Sequence, residues 1–296
     1  MPRAQCHALD ELFEAYGARG IRTELVCYDG RLPELARCVD GSAFDAVLVG
    51  RDANFAPSSV LGAPWLAEAA GRRIPVACLP LTAAETVRRF ATRAAQVQLR
   101  SRDVTALALL AQWQPRYLRV ADRIQALLQG NTPTVRWTEE LIGRSELVDA
   151  LGTGLGLGLY VGHGRPVGWA GYHGTRSKHF VACAGKPLGA VVSLCCRTAS
   201  RLRTRLSYAE WLPMLGVAAA SFGAISDTLH TDNTRWAVRI CEVLREGVAT
   251  IGELIVRAAP LDPAAARAYR LIGDPLAPLA TEHGAWMRAS SIAIHA

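Results

Sequence analysis

Apolar and polar positions alternate along the chain in short blocks of two kinds. Residues 8–18 carry apolar side chains at helical spacing, and residues 21–28 read as a strand that turns at Asp29 and Gly30. Residues 32–39 read as a helix, 44–49 as a second strand ending at Gly50, 57–71 as a helix and 74–79 as a third strand. This βαβαβ rhythm predicts a parallel sheet covered by helices.

A long helical stretch follows, 83–100 and again 104–129, with Pro115 expected to break it. It separates two units: a smaller N-terminal α/β subdomain over 1–100, a helical connection over 101–130, and a second unit over 131–296. In the second unit, 134–137, 155–161, 190–194, 217–225 and 269–272 read as strands, and 139–151, 208–215, 231–246 and 251–259 as helices. No internal repeat is visible.

Composition narrows the function classes. Of 296 residues 50% are hydrophobic and 20% charged, as in a packed α/β protein and unlike a disordered chain. No apolar run approaches the roughly 18 residues that span a bilayer, so no membrane partner is expected. The N-terminal stretch carries Asp10, Glu11 and Glu14 where a leader would be apolar, which sets a cytoplasmic expectation. The 8 cysteines lack the spacing of a disulfide framework. The net charge of +7 comes almost wholly from arginine. Most arginines are scattered over helix faces, the densest cluster being Arg197, Arg201, Arg203 and Arg205, and this argues against a nucleic-acid partner.

Several site classes fall on their spacing. The glycines at 152, 154, 156 and 158 lead into a strand, whereas a dinucleotide fingerprint follows one and opens a helix. They read instead as packing glycines, and no phosphate-binding lysine loop exists. His163, His173, His179 and Cys183, with Cys195 and Cys196 beyond, match no compact zinc spacing. No metal and no cofactor are expected.

Two strand ends carry the stronger signal. One apolar strand runs into Gly162-His163-Gly164 and another, Gly189 to Leu194, runs into Cys195-Cys196-Arg197. Parallel sheets place ligands at the carboxyl ends of their strands, so both ends belong to one edge. A histidine there serves as acid or base near neutrality, and a thiolate is a strong nucleophile. The N–H groups of Gly164 and of the nucleophilic cysteine can hold an oxyanion. Strand alternation sends Cys195 and Cys196 to opposite faces but does not choose between them.

These stretches resemble the caspase-like cysteine peptidases of clan CD, most of all the gingipain-type peptidases and the related CHAT domains. The likeness covers roughly residues 130–280 and includes 159–164 with Trp169, 191–198, 208–212 and 215–220. The resemblance implies a caspase-like α/β/α sandwich with a mostly parallel sheet, preceded by the smaller α/β subdomain. It implies a His163–Cys196 dyad, since a small residue usually precedes the nucleophile and Cys195 takes that place. The N–H groups of Gly164 and Cys196 would form the oxyanion hole.

The implied activity is that of an intracellular cysteine endopeptidase acting on a protein or peptide substrate, under control of a regulatory protein partner or trigger. The alternatives are an inactive caspase-like interaction module or another thiol-dependent hydrolase. Candidate substrate-binding residues are Asp227, Asp232, Trp169 and Arg197. The two aspartates would favour a basic P1 residue, while Arg165 and Arg197 would favour an acidic substrate. Each has a plainer role: Thr231 or Asp232 as a helix cap, Trp169 as a core residue, Arg197 as a solvated cation.

Overall fold

Residues Leu107–Ala111 form a fully buried strand inside the stretch expected to be helical. The computed structural model describes residues 7–26, 32–39, 44–56, 62–67, 71–101, 104–181 and 185–295. Within it, 104–129 divides into a short strand Val104–Thr105, the strand Leu107–Ala111 and the helix Pro115–Leu128. Pro115 therefore opens a helix instead of breaking one, at a position where its missing N–H costs nothing. A run such as Leu-Ala-Leu-Leu-Ala, buried on both sides, has no polar face to reveal its period.

Eight strands make the spine of one sheet: β1 (Val47–Asp52), β2 (Arg73–Leu81), β3 (Leu107–Ala111), β4 (Thr134–Arg136), β5 (Leu157–Val161), β6 (Leu188–Leu194), β7 (Ala218–Ala224) and β8 (Tyr269–Gly273). Their spatial order is β1-β2-β8-β7-β6-β5-β3-β4, with Trp65–Ala67 paired antiparallel to β2. Every pair along the spine is parallel except β7 with β8. The sheet thus holds two parallel blocks of opposite direction that meet at the β7–β8 pair, and β8 of the second unit pairs with β2 of the first. The expected mixed α/β architecture with a mostly parallel sheet is present.

Alternation within the central strands assigns their side chains to two cores. Leu107, Leu109, Leu157, Leu159, Val161, Ala190, Val192 and Leu194 face a core that the helices Ala84–Leu99, Pro115–Leu128, His230–Glu246 and Ile251–Ala258 cover. Ala108, Leu110, Tyr160, Val191 and Cys195 face the other core, with Tyr208 and Leu212 of the helix Tyr208–Met214. Each buried leucine or valine contributes about 1.5–3 kcal/mol relative to exposure. Gly156 lets the chain pass against Leu279: a Cβ there would stand 1.5 Å from the Leu279 carbonyl oxygen. The glycine run does serve packing.

Other expectations need correction. Residues 21–26 form no strand, and 27–30 lie outside the described residues. Within 57–71 the described part holds the strand Trp65–Ala67 and no helix; 57–61 and 68–70 lie outside. The helix expected over 139–151 is only Arg144–Ala150, because Gly143 starts it, held by Glu146 Oε2 accepting the Gly143 N–H at 2.6 Å. The helix expected from 231 begins at His230, and the closing helix His283–His295 was not foreseen.

Candidate active site

Four neighbouring strands, β7, β6, β5 and β3, end at one edge of the sheet, and the segments leaving them build the site. Two long helices start there, Pro115–Leu128 after β3 and His230–Glu246 after β7. Their N-termini bring the positive ends of two helix dipoles toward that edge, which favours a thiolate or an oxyanion.

His163 leaves the end of β5. Its N–H donates to Gln112 Oε1 at 2.8 Å, and its carbonyl accepts from Tyr160 Oη at 3.1 Å and from the Ala170 N–H at 2.9 Å. The backbone is therefore clamped while the ring remains exposed. Tyr117, in the first turn of its helix, sets its ring edge-on to His163 with centroids 5.4 Å apart, and to His230 at 5.7 Å. The Arg116 guanidinium lies over the Tyr117 ring and donates from Nη2 to His163 Nε2. Burial and then the Arg116 and Arg165 cations hold the imidazole below its ordinary pKa.

Cys195 and Cys196 end β6 differently. Cys195 is fully buried in the core with Tyr160 and Tyr208, and burial pushes its thiol far above the ordinary value. Cys196 is partly exposed, and its Sγ accepts the Thr228 N–H at 3.4 Å. The Thr228 carbonyl and hydroxyl oxygens both lie 3.6 Å from the same sulfur. Of the two, only Cys196 offers an accessible sulfur.

Gly164 brings the two strand ends together. A Cβ on it would stand 2.4 Å from the Cys196 carbonyl oxygen and 2.5 Å from Cys195 Sγ. Only glycine permits that approach of the His163 segment to the cysteine pair. The backbone next to the thiol is itself unusual: Arg197 has φ +60°, a left-handed conformation that costs a residue with a Cβ roughly 1 kcal/mol. The Arg197 N–H donates to the Ser226 carbonyl at 3.1 Å and its guanidinium pairs with Asp227, which offsets that cost.

The structure treats the remaining substrate candidates unevenly. Asp227 lies at the rim but is already paired with Arg197. Asp232 pairs with Arg235 at 3.1 Å from the first turn of its helix, and Leu229, not Thr231 or Asp232, holds the cap position. Trp169 is buried beneath the cleft, stacked on Tyr160 at 4.4 Å with its Nε1–H donating to Ser193 Oγ at 2.9 Å; it supports the site and does not line it. Arg201 is likewise engaged, with Nε 2.9 Å from Glu210 Oε2, so two of the four arginines of the 197–205 cluster are held by carboxylates. Cys183 lies outside the described residues, and among the described residues no group of three potential ligands can hold a metal ion.

Gln112, Arg116, Tyr117 and Thr228 were missed in the sequence. Thr228 follows β7, which the pattern shows as a strand, so the strand-end rule reaches its segment; the other three follow β3, whose uniform burial hides it.

No curated protein sequence matches the chain. Among solved structures, the Arg-specific cysteine proteinase gingipain R (RgpB) superposes with a TM-score of 0.69 at 17% identity, covering 93% of this chain and 76% of that one. The complex of Porphyromonas gingivalis RgpB pro- and mature domains matches with a TM-score of 0.69 at 16% identity, covering 94% and 78%. Saccharomyces cerevisiae separase, in its complex with securin, matches with a TM-score of 0.51 at 15% identity, covering 79% of this chain and 16% of that one. These likenesses establish the caspase-like fold. The model of peptidase family C25 matches residues 88–280, a span that includes β3, both strand ends and β8. The chain belongs to peptidase family C25, the gingipain family of caspase-like cysteine-type endopeptidases.

Proposed function

We propose that this protein is an endopeptidase whose dyad is His163 and Cys196. The observation that carries the reading is the pairing of β5 with β6 in register, which delivers an exposed imidazole and the one accessible thiol of the cysteine pair to the same edge. His163 takes the Cys196 proton, and the thiolate attacks the scissile carbonyl. The N–H groups of Gly164 and Cys196 receive the oxyanion, each such donor supplying about 10²–10³ in rate. His163 then returns its proton to the leaving amine, and water hydrolyses the thioester.

A protein substrate and a controlling partner belong to the same proposal. The solved relatives support it, since RgpB is found with its pro-domain and separase with securin. A reducing cytoplasmic setting accords with the cysteines at 38, 78, 195, 196 and 241, all free among the described residues. No described helix is long and apolar enough to cross a membrane. The test is cleavage of a peptide panel by wild type, His163→Ala and Cys196→Ala. Both variants should lose at least about 10³-fold in kcat/KM. Equal turnover by either variant overturns the dyad.

A further inference from the structure

Among the described residues, the charges acting on His163 all have one sign. Arg116 donates to its Nε2 and Arg165 stands two residues along the chain. Both cations act on the imidazole, and among the described residues no carboxylate does. The acidic groups near the edge are spent elsewhere. Asp227 is paired with Arg197 and Asp232 with Arg235. Glu139 accepts the N–H groups of Trp113 at 2.8 Å and His173 at 3.2 Å. Arg116 itself is exposed, and among the described residues its partners are the His163 ring and the face of Tyr117, neither of them an anion.

An exposed guanidinium without a carboxylate, beside the imidazole of the proposed dyad, is an unused anion receptor. It also occupies the Nε2 lone pair, so that nitrogen cannot take a proton until Arg116 moves. Resting on the dyad assigned above, we propose that the cleft selects substrates with a carboxylate side chain beside the scissile bond, and that this carboxylate draws Arg116 off His163. Substrate binding then does two things at once. It neutralises the guanidinium by a two-point ion pair, and it frees the imidazole for proton transfer. A basic side chain at the same place would meet Arg116 and Arg165 with like charge and leave the contact with His163 intact.

The test uses the full-length protein and matched peptides that carry Asp, Asn or Arg at P1, or Asp at P1′ with a neutral P1. One acidic peptide should exceed the Arg peptide by about tenfold or more in kcat/KM, and the P1 and P1′ arms show which side the carboxylate occupies. Arg116→Gln should collapse the acidic-to-neutral ratio, chiefly through KM. Preference for the Arg peptide, or a ratio that Arg116→Gln leaves unchanged, overturns the inference while the peptidase reading stands. Alkylation of Cys196 by iodoacetate relative to iodoacetamide gives a readout that needs no proteolysis. Arg116→Gln should lower that ratio several-fold. If wild type cleaves none of the peptides yet the alkylation ratio falls, the charge selection holds and the peptidase reading fails. An unchanged ratio overturns the inference.

Discussion

His163 and Cys196 hold equivalent places on neighbouring parallel strands, each two residues past the last register pair, Val161 with Leu194. They also continue the same alternation. Leu157, Leu159 and Val161 lead to His163, and Ala190, Val192 and Leu194 lead to Cys196, all six on the face covered by the helix that carries Tyr117. Cys195 breaks from that series into the opposite core.

Under the proposed dyad, the two thiols have separate roles. Cys196→Ala should abolish peptidase activity. Cys195→Ala should keep most of it and lower stability by about 1 kcal/mol, the usual scale for a small core truncation. Activity assays and thermal melts of the two variants check this.

Gly164→Ala should act on the site without unfolding the chain. Its Cβ would stand 2.4 Å from the Cys196 carbonyl oxygen, so the cysteine segment must shift, and with it one oxyanion donor. A loss of about 10²-fold or more in kcat/KM is expected, with the circular dichroism spectrum retained. Full activity in Gly164→Ala would remove the glycine from the site.

The acid limb of the kcat/KM profile should lie below the ordinary histidine value of 6.5, because burial and two cations disfavour the imidazolium. Arg116→Gln removes one of those cations and should therefore move the limb to higher pH. A shift to lower pH, or none, would contradict the electrostatic assignment. The matching stability effect has the same sense: a depressed histidine pKa stabilises the fold above its unfolded value, and that contribution is lost as pH falls through the folded value.

Much of this was legible in the sequence because two apolar strands end in chemistry. The Gly162-His163-Gly164 and Cys195-Cys196 ends, β1, β2 and the helix Ile251–Ala258 all follow from pattern. The choice between adjacent cysteines did not, since alternation separates Cys195 from Cys196 without saying which face holds the cleft. The place of Leu107–Ala111 in the sheet was also hidden, for a strand buried on both faces carries no period. Arg116 and Tyr117 meet His163 only through that unforeseen topology, at sequence distances of 47 and 46 residues, and Thr228 reaches Cys196 across 32 residues from the end of β7. Residue type marks Asp227 and Asp232 as acidic, but only the fold shows that Arg197 and Arg235 already hold them.

A buried polar cluster ties the N-terminal helix Asp10–Ala18 to the catalytic sheet. Tyr16 Oη donates to Asp274 Oδ1 at 2.5 Å, and Gln98 Nε2 donates to Asp274 Oδ2 at 2.6 Å. Tyr16→Phe should cost about 1–3 kcal/mol in denaturant melts, as expected when a buried carboxylate loses a donor, with the active site unchanged. A melt identical to wild type would show that the helix is held by its apolar face alone.

The assignment of the dyad rests most directly on where a substrate-like electrophile lands. A peptidyl acyloxymethyl ketone with an acidic P1 residue, followed by peptide mass mapping, reads this in one experiment. The expected adduct is on Cys196 alone, lost in His163→Ala and retained in Cys195→Ala. An adduct on Cys195, or undiminished labelling of Cys196 in His163→Ala, would contradict the His163–Cys196 site.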